Sequence, residues 1–350
     1  LFALSSATFC SSLWAASLDG PQISQPSGNG VIVYRITSSS AAINSATNGT
    51  PQQHLDAAKQ ALISFRNTAN PRDLGDAERE LAALTDDQRN TGFYFYRASL
   101  RQSLHLFDEA LDDLDTISVM QGDNLESLMM RFTISFVTGK YQAAEQACEA
   151  LKHRDNNLYA ASCAQQLQAA TGDPSTAYRD LKHAMAEFGV LSDRRALIWA
   201  SGTLADIAER AGRDDTLTLW QLALQLNRDD LYTRARLAAA LLAHGDYAQV
   251  LSVTEDYMAV DALAVSRAIA QKQLGDGDAL ITTLRERFDE ARWRGEILHK
   301  RAYAQFLLDI EQQPAAALAM AEMNWTHQRE WPDVIILARA RDAMNNKVTP

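Results

Sequence analysis

The chain has 350 residues, 47% of them apolar, with 16 glycines and 8 prolines, a composition that excludes collagen-like, low-complexity and wholly disordered chains and permits a large core. Its 33 Lys and Arg against 44 Asp and Glu leave a formal charge of −11, which gives no basic footprint for a phosphate backbone, so nucleic acid is not an expected partner. The three cysteines, at positions 10, 148 and 163, are too few for a disulfide framework and too widely spaced for the paired ligands of structural zinc.

Residues 1–17 are apolar or small and carry no charge, and they read as the remnant of a secretory signal without its basic start. Ala15 and Ser17 stand at the positions three and one before a break, which predicts cleavage after Ser17. Cys10 raises a lipoprotein alternative, against which Phe9 stands where a small residue is usual. Residues 18–51 are rich in Ser, Gly, Asn and Thr and read as a flexible linker, interrupted by the apolar run Val31–Ile36.

From residue 52 onward the apolar positions follow helical spacing and recur about every 34 residues. The repeating signal is a pair of residues four apart following a turn: Ala77/Leu81, Ala110/Leu114, Ala144/Cys148, Ala177/Leu181, Thr216/Trp220, Val250/Thr254, Leu280/Leu284 and Ala317/Ala321. One step is lengthened around Glu187–Asp193, and the first pair of helices is expected to be separated by a loop over Asn67–Arg72. Glycines at the turns, as in Gly245-Asp246-Tyr247, can take positive φ and stop the first helix of each pair. Small residues at Ala98, Ala205, Ala238 and Ala268 let partner helices approach closely. One such hairpin cannot bury its apolar face alone and must stack on the next. A last helix from about Pro332 to Met344 is expected to cap the end, within a terminal region of residues 328–350.

The unit Leu231–Ala264, with Leu237-Ala238 and the Gly245-Asp246-Tyr247 turn, resembles the tetratricopeptide repeat, as do the turns Gly139-Lys140-Tyr141 and Gly172-Asp173-Pro174. The likeness covers residues 52–327 and departs from the family at the repeat-terminal proline, where Asn156 and Arg228 stand. It implies an all-α fold, a right-handed α-α superhelix of about eight hairpins with the first helix of each lining a concave face.

Local catalytic motifs are not found. The seven histidines include no His-Glu-x-x-His pair, and Val137-Thr138-Gly139-Lys140 lacks the upstream glycine and the Ser or Thr of a phosphate loop. The acidic run Asp108, Glu109, Asp112, Asp113 and Asp115 reads as a solvated helix face. The basic stretch Arg285–Arg301 is interleaved with Glu286, Asp289, Glu290 and Glu296 and reads as pairing along an exposed helix, with an anionic-ligand site as the alternative. No metal and no cofactor are expected.

The family register places on the concave face Phe95, Ser99 and Gln102; Met129, Thr133 and Phe136; Tyr159, Ser162 and Gln166; Ser201 and Ala205; Tyr232, Ala235 and Leu242; Val265 and Ile269; Ala302 and Phe306. Phe95, Met129, Phe136, Tyr159, Tyr232, Leu242 and Phe306 are the candidate partner-binding residues, against the alternative that they are inter-helix core. The set lacks the Lys, Arg and Asn with which such domains hold a chain-terminal carboxylate, so an apolar-anchored peptide or protein is the expected partner. Cys148 and Cys163 fall on neighbouring helices; two buried thiols pointing apart is the preferred reading, and a disulfide the alternative in an oxidising compartment. Together these features predict a bacterial, non-enzymatic interaction scaffold in the periplasm or outside the cell, with membrane contact only if it is lipidated or its signal stays uncleaved. The alternatives are an exported α/α-barrel polysaccharide hydrolase or lyase and an outer-membrane assembly lipoprotein.

Overall fold

The structure, a computed structural model, describes residues 49–153, 157–295 and 298–348. The signal remnant 1–17, Cys10, the run Val31–Ile36 and nearly all of the linker lie outside the described residues. Seventeen α-helices and no strand are present among the described residues.

The helices form eight successive hairpins: α1 (Pro51–Thr68) with α2 (Pro71–Ala82), α3 (Thr91–Ser103) with α4 (Phe107–Gln121), α5 (Leu125–Val137) with α6 (Tyr141–Lys152), and α7 (Asn157–Thr171) with α8 (Pro174–Phe188). Then come α9 (Arg194–Arg210) with α10 (Thr216–Leu226), α11 (Leu231–His244) with α12 (Tyr247–Val253), α13 (Asp261–Gln273) with α14 (Asp278–Arg294), and α15 (Lys300–Asp309) with α16 (Pro314–Trp325). The terminal helix α17 spans Trp331–Val348. Every extensively packed pair of helices lies at most two positions apart in chain order, so the chain is an all-α solenoid.

The recurring residue pair is the buried seam of the second helices. Ala77, Ala110, Leu114, Ala144, Ala177, Leu181, Trp220, Val250, Leu284 and Ala317 are all 0% exposed, and Thr216 and Thr254 are the hydroxyl-bearing members of the set. The Thr254 hydroxyl is satisfied by donating to the Val250 carbonyl at 2.6 Å. Ala98, Ala205, Ala238 and Ala268 are likewise 0% exposed, at the close approaches anticipated for them.

Helix starts follow local chemistry. Thr50 and Gln53 form a reciprocal capping box on α1, while Asn70, Asn90, Asp173, Asp193, Asp230 and Asp246 accept from the first-turn amides of their helices. The first hairpin departs from expectation. Ala69 takes the left-handed conformation (φ 53°) and Asn70 caps α2, so two residues replace the anticipated loop over Asn67–Arg72. The extension at Glu187–Asp193 is a continuation of α8 to Phe188 followed by a 3-10 turn over Gly189–Leu191.

Two further expectations are corrected by burial. Asp113 is not part of a solvated face: it is 1% exposed and receives the Arg97 Nη2 and Arg101 Nη1 groups, each at 2.6 Å, so it ties α3 to α4. Within the basic stretch, Arg292 and Arg294 pair locally with Asp289 and Glu290, but Arg285 reaches Glu311 in the turn after α15 and Arg287 reaches Asp261 at the start of α13.

The winding brings distant hairpins together. The rings of His105, at the turn between α3 and α4, and His299, just before α15, are 6.5 Å apart. The Arg329 N–H, in the segment between α16 and α17, donates to the Val137 carbonyl at the end of α5 at 2.7 Å. Gly139 (φ 74°) is needed at that crossing for two reasons, its left-handed backbone and the Arg329 side chain, whose Cδ lies 2.8 Å from where a β-carbon would stand.

Burial, with the His299 imidazole and Lys300 ammonium nearby, holds His105 down to about 4. Because its folded value lies below that of the unfolded chain, its contribution to stability is complete above about 6.5. That contribution is lost as pH falls from there towards about 4. The urea midpoint is therefore expected to fall between pH 7.5 and 5, and His105→Asn, which tolerates positive φ and does not titrate, should flatten that fall; an unchanged slope would remove the assignment.

Cys148 of α6 and Cys163 of α7 have Cα atoms 5.8 Å apart and are joined as a disulfide, in place of the two diverging thiols that the sequence reading preferred. A non-reducing tryptic map of protein purified under air is expected to yield residues 141–152 linked to the peptide containing Cys163; separate peptides with free thiols would contradict the pairing.

Candidate functional site

The odd-numbered helices α5, α7, α9, α11, α13 and α15 line one continuous inner face, with α17 and its lead-in lying against it. A cavity of about 640 Å³ opens between α11, α13, α15 and α17. Its floor carries Ala235, Ala239 and Ala243 on successive turns of α11, and Ile269 of α13 and Ile335 and Ile336 of α17 form its apolar walls. A second hollow of about 100 Å³ lies further along the same face, between α5, α7, α9 and α11.

The candidate binding residues divide between these spaces and the interior. Tyr232 lines both hollows, Leu242 the larger and Phe136 the smaller. Phe95 is half-buried beside the Ala98 and Phe107 packing and lines neither. Met129, Tyr159 and Phe306 are 3%, 4% and 1% exposed, and the structure places them between helices. Tyr159 is held there by donating its hydroxyl to Asp193 Oδ1 at 3.0 Å, and burial followed by this bond raises its phenol above the ordinary range.

On α9 and α15 the physical reason is register. On α9 the expected Ser201 and Ala205 are displaced by one position from the residues that line the small hollow, Gly202 and Asp206. On α15 the expected Ala302 and Phe306 are one position beyond Arg301 and Gln305. A shift of one residue turns a helical side chain by about 100°, enough to move it from groove to core.

Sequence reasoning missed the charged framework between the two hollows. Arg301 of α15 donates Nε to Asp333 Oδ1 at 2.5 Å and pairs through Nη2 with Glu330. Asp333 is 2% exposed and also accepts from Asn324 Nδ2 at 2.7 Å and from the Glu330 amide at 2.8 Å. Burial alone would lower Arg301, but the Asp333 and Glu330 carboxylates reverse this and hold it above its ordinary value, so it stays charged. Nearby, Arg236 pairs with Glu209, which also accepts from Trp220 Nε1 at 3.0 Å. Arg210 donates to Asp206 at 3.0 Å and lies over the Trp331 ring at 5.2 Å. The remaining arginines lining the large cavity are paired too, Arg339 with Asp309 and Arg213 with Asp215. Among the described residues no group of three or more His, Cys, Asp or Glu is placed to hold a metal ion, and no helix is long and apolar enough to cross a membrane.

Removing Arg301 would leave the buried Asp333 and the half-buried Glu330 without their cation. Arg301→Met is expected to cost about 3–5 kcal/mol, read from the urea midpoint. The double variant Arg301→Met/Asp333→Leu should recover part of that loss, and equal costs for the two would show that the ion pair is not what holds α17.

No protein-family model and no curated protein matches this sequence. Solved structures resemble it in fold. The yeast Tom70 crystal structure is 15% identical with a TM-score of 0.46, and the likeness covers 86% of this chain and 65% of that one, just under two thirds. A tetratricopeptide repeat protein from Parabacteroides merdae ATCC 43184 is 14% identical, with a TM-score of 0.38 and coverage of 83% and 99%. The P58(IPK) TPR domain is 16% identical, with a TM-score of 0.23 and coverage of 86% and 99%. The chain's own helices form an all-α solenoid of eight hairpins followed by a terminal helix.

Proposed function

We propose that the chain is a non-enzymatic interaction scaffold that holds a segment of a protein partner along its inner face, in the periplasm or outside the cell. The observation that carries the reading is the cavity of about 640 Å³ between α11, α13, α15 and α17. It combines an alanine floor and aliphatic walls with arginines each held in an ion pair, the pattern expected where an apolar-anchored segment lies in a preformed groove. Since Arg213, Arg236, Arg301 and Arg339 are each engaged by a carboxylate of the chain itself, capture of a free chain-terminal carboxylate is disfavoured. The exported location is supported by the signal-like composition of residues 1–17 and by the juxtaposed Cys148 and Cys163, since disulfides persist in oxidising compartments.

A photo-crosslinking residue placed at Ala243, inside the cavity, is expected to capture a discrete partner in native cells, whereas one at Val119, which is 88% exposed on α4, should not. Filling the floor with Ala239→Phe should weaken capture at least about fivefold, corresponding to about 1 kcal/mol, without lowering the helical content. Equal capture from both positions, or indifference to Ala239→Phe, would dismiss the inner face as the binding surface.

A further inference from the structure

Four aromatic rings surround the smaller hollow. Phe132 and Phe136 stack at 5.6 Å, Trp199 meets Phe132 edge-on at 5.8 Å, and Tyr232 closes the side towards the large cavity. The remaining wall carries three carboxylates, Asp206, Asp230 and Glu330, and among the described residues no Lys, Arg or His lines the space. A volume of about 100 Å³ holds several waters, or the end of one long side chain.

The charges around it do not balance. Arg210 answers Asp206, and Arg301 is shared between Glu330 and Asp333, while Asp230 is occupied in capping α11. Arg236 and Glu209 neutralise each other. Four carboxylates thus face two guanidinium groups. Burial pushes the Asp206 carboxyl above its usual range even with Arg210 beside it. The Tyr232 phenol is raised by burial and then by Glu330 and Asp206. The Phe136 ring already shows its affinity for a cation, since the Arg210 guanidinium lies 6.0 Å from its centroid.

We propose that this hollow is the specificity pocket of the groove and takes the lysine or arginine side chain of a bound protein segment, its cationic end among the four rings and its charge answered by the carboxylate surplus of Asp206, Asp230 and Glu330. The assignment rests on the scaffold reading and names the chemistry of the partner, a segment with a basic anchor. Aromatic faces attract a cation through their quadrupole, most strongly where water is displaced. A norleucine side chain of similar length would fill the same space but leave the charge deficit in place.

The test uses the protein with 15N-labelled tryptophan and follows the Trp199 indole N–H, assigned by its loss in Trp199→Phe. The probes are the peptide acetyl-Ala-Ala-Lys-Ala-Ala-amide, its arginine, norleucine and glutamate counterparts, and free n-butylammonium. The lysine and arginine peptides are expected to shift the Trp199 signal saturably at millimolar concentration, with the norleucine peptide about tenfold weaker and the glutamate peptide inactive. Gln166→Lys, which extends an ammonium into the hollow from α7, should abolish the response while the helical circular dichroism is unchanged. Norleucine or glutamate peptides acting as strongly as lysine would overturn the proposal, as would silence of Trp199 towards all probes. Binding of n-butylammonium as tightly as the lysine peptide would make the hollow a small-cation site and overturn the partner-segment reading. If crosslinking from Ala243 still captures a partner while the lysine peptide leaves Trp199 unmoved, the scaffold stands and the basic anchor falls.

Discussion

The Arg301 guanidinium, held between Asp333 and Glu330, is the interaction on which the far end of the molecule depends. A stack of hairpins always leaves one unburied face at its last member. Here α15 and α16 would expose that face, and α17 covers it with Ile336, Leu337 and Ala340, which are 4%, 6% and 0% exposed. Apolar burial of this kind is not directional, so it does not decide at what angle the helix lies. Arg301 does, because its planar fork donates to Asp333 and Glu330 in only one arrangement and Asn324 donates to the same Asp333 carboxylate. The consequence reaches beyond the cap. With Glu330 anchored, Arg329 is carried to the Val137 carbonyl and Trp331 to the Arg210 guanidinium, so the terminal segment becomes part of the inner wall between the two hollows.

The fold was legible because stacking imposes the same demand on every hairpin. The second helix must bury the same two positions one turn apart, and any long or charged residue there would be stranded between layers. That demand writes a recurring pair into the sequence even where the residues differ, as at Trp220 and Leu114, both 0% exposed. The turns were harder to place. Ala69 ends α1 in a left-handed conformation that glycine or asparagine would have advertised and alanine does not, so the tight first hairpin left no local mark.

The site was legible only in outline. Of the first-helix residues expected on the inner surface, Phe136, Tyr232 and Leu242 line its hollows. On α9 and α15 the same register ran one residue out and replaced Asp206 and Arg301 by buried apolar neighbours. Burial also inverts the ordinary reading of charge. Asp113, Asp206 and Asp333 stand in sequence contexts that suggest solvated helix, yet they are 1%, 4% and 2% exposed. Their partners Arg97, Arg101, Arg210 and Arg301 lie between 4 and 32 positions away, and only the Arg210–Asp206 spacing falls within the range where a pattern on one helix reveals it.

Why the inner face holds so many ion pairs follows from what they cost. A buried pair contributes little net stability relative to apolar packing, because desolvation of both ions offsets most of their attraction. A solenoid selected for rigidity alone would therefore be expected to fill these positions with leucine. What the pairs supply instead is fixed geometry at a surface left open: Arg236, Arg301 and Arg339 are pinned by Glu209, Asp333 and Asp309, so they border the cavity without folding into it. The same economy explains the imbalance beside Phe136 and Trp199. Leaving four carboxylates to two guanidinium groups is unfavourable for the free chain, and on the proposed reading a cation entering from outside relieves it. A groove built this way discriminates by charge at one point and by shape along the rest, because an acidic or neutral side chain at that point would leave the carboxylates unanswered.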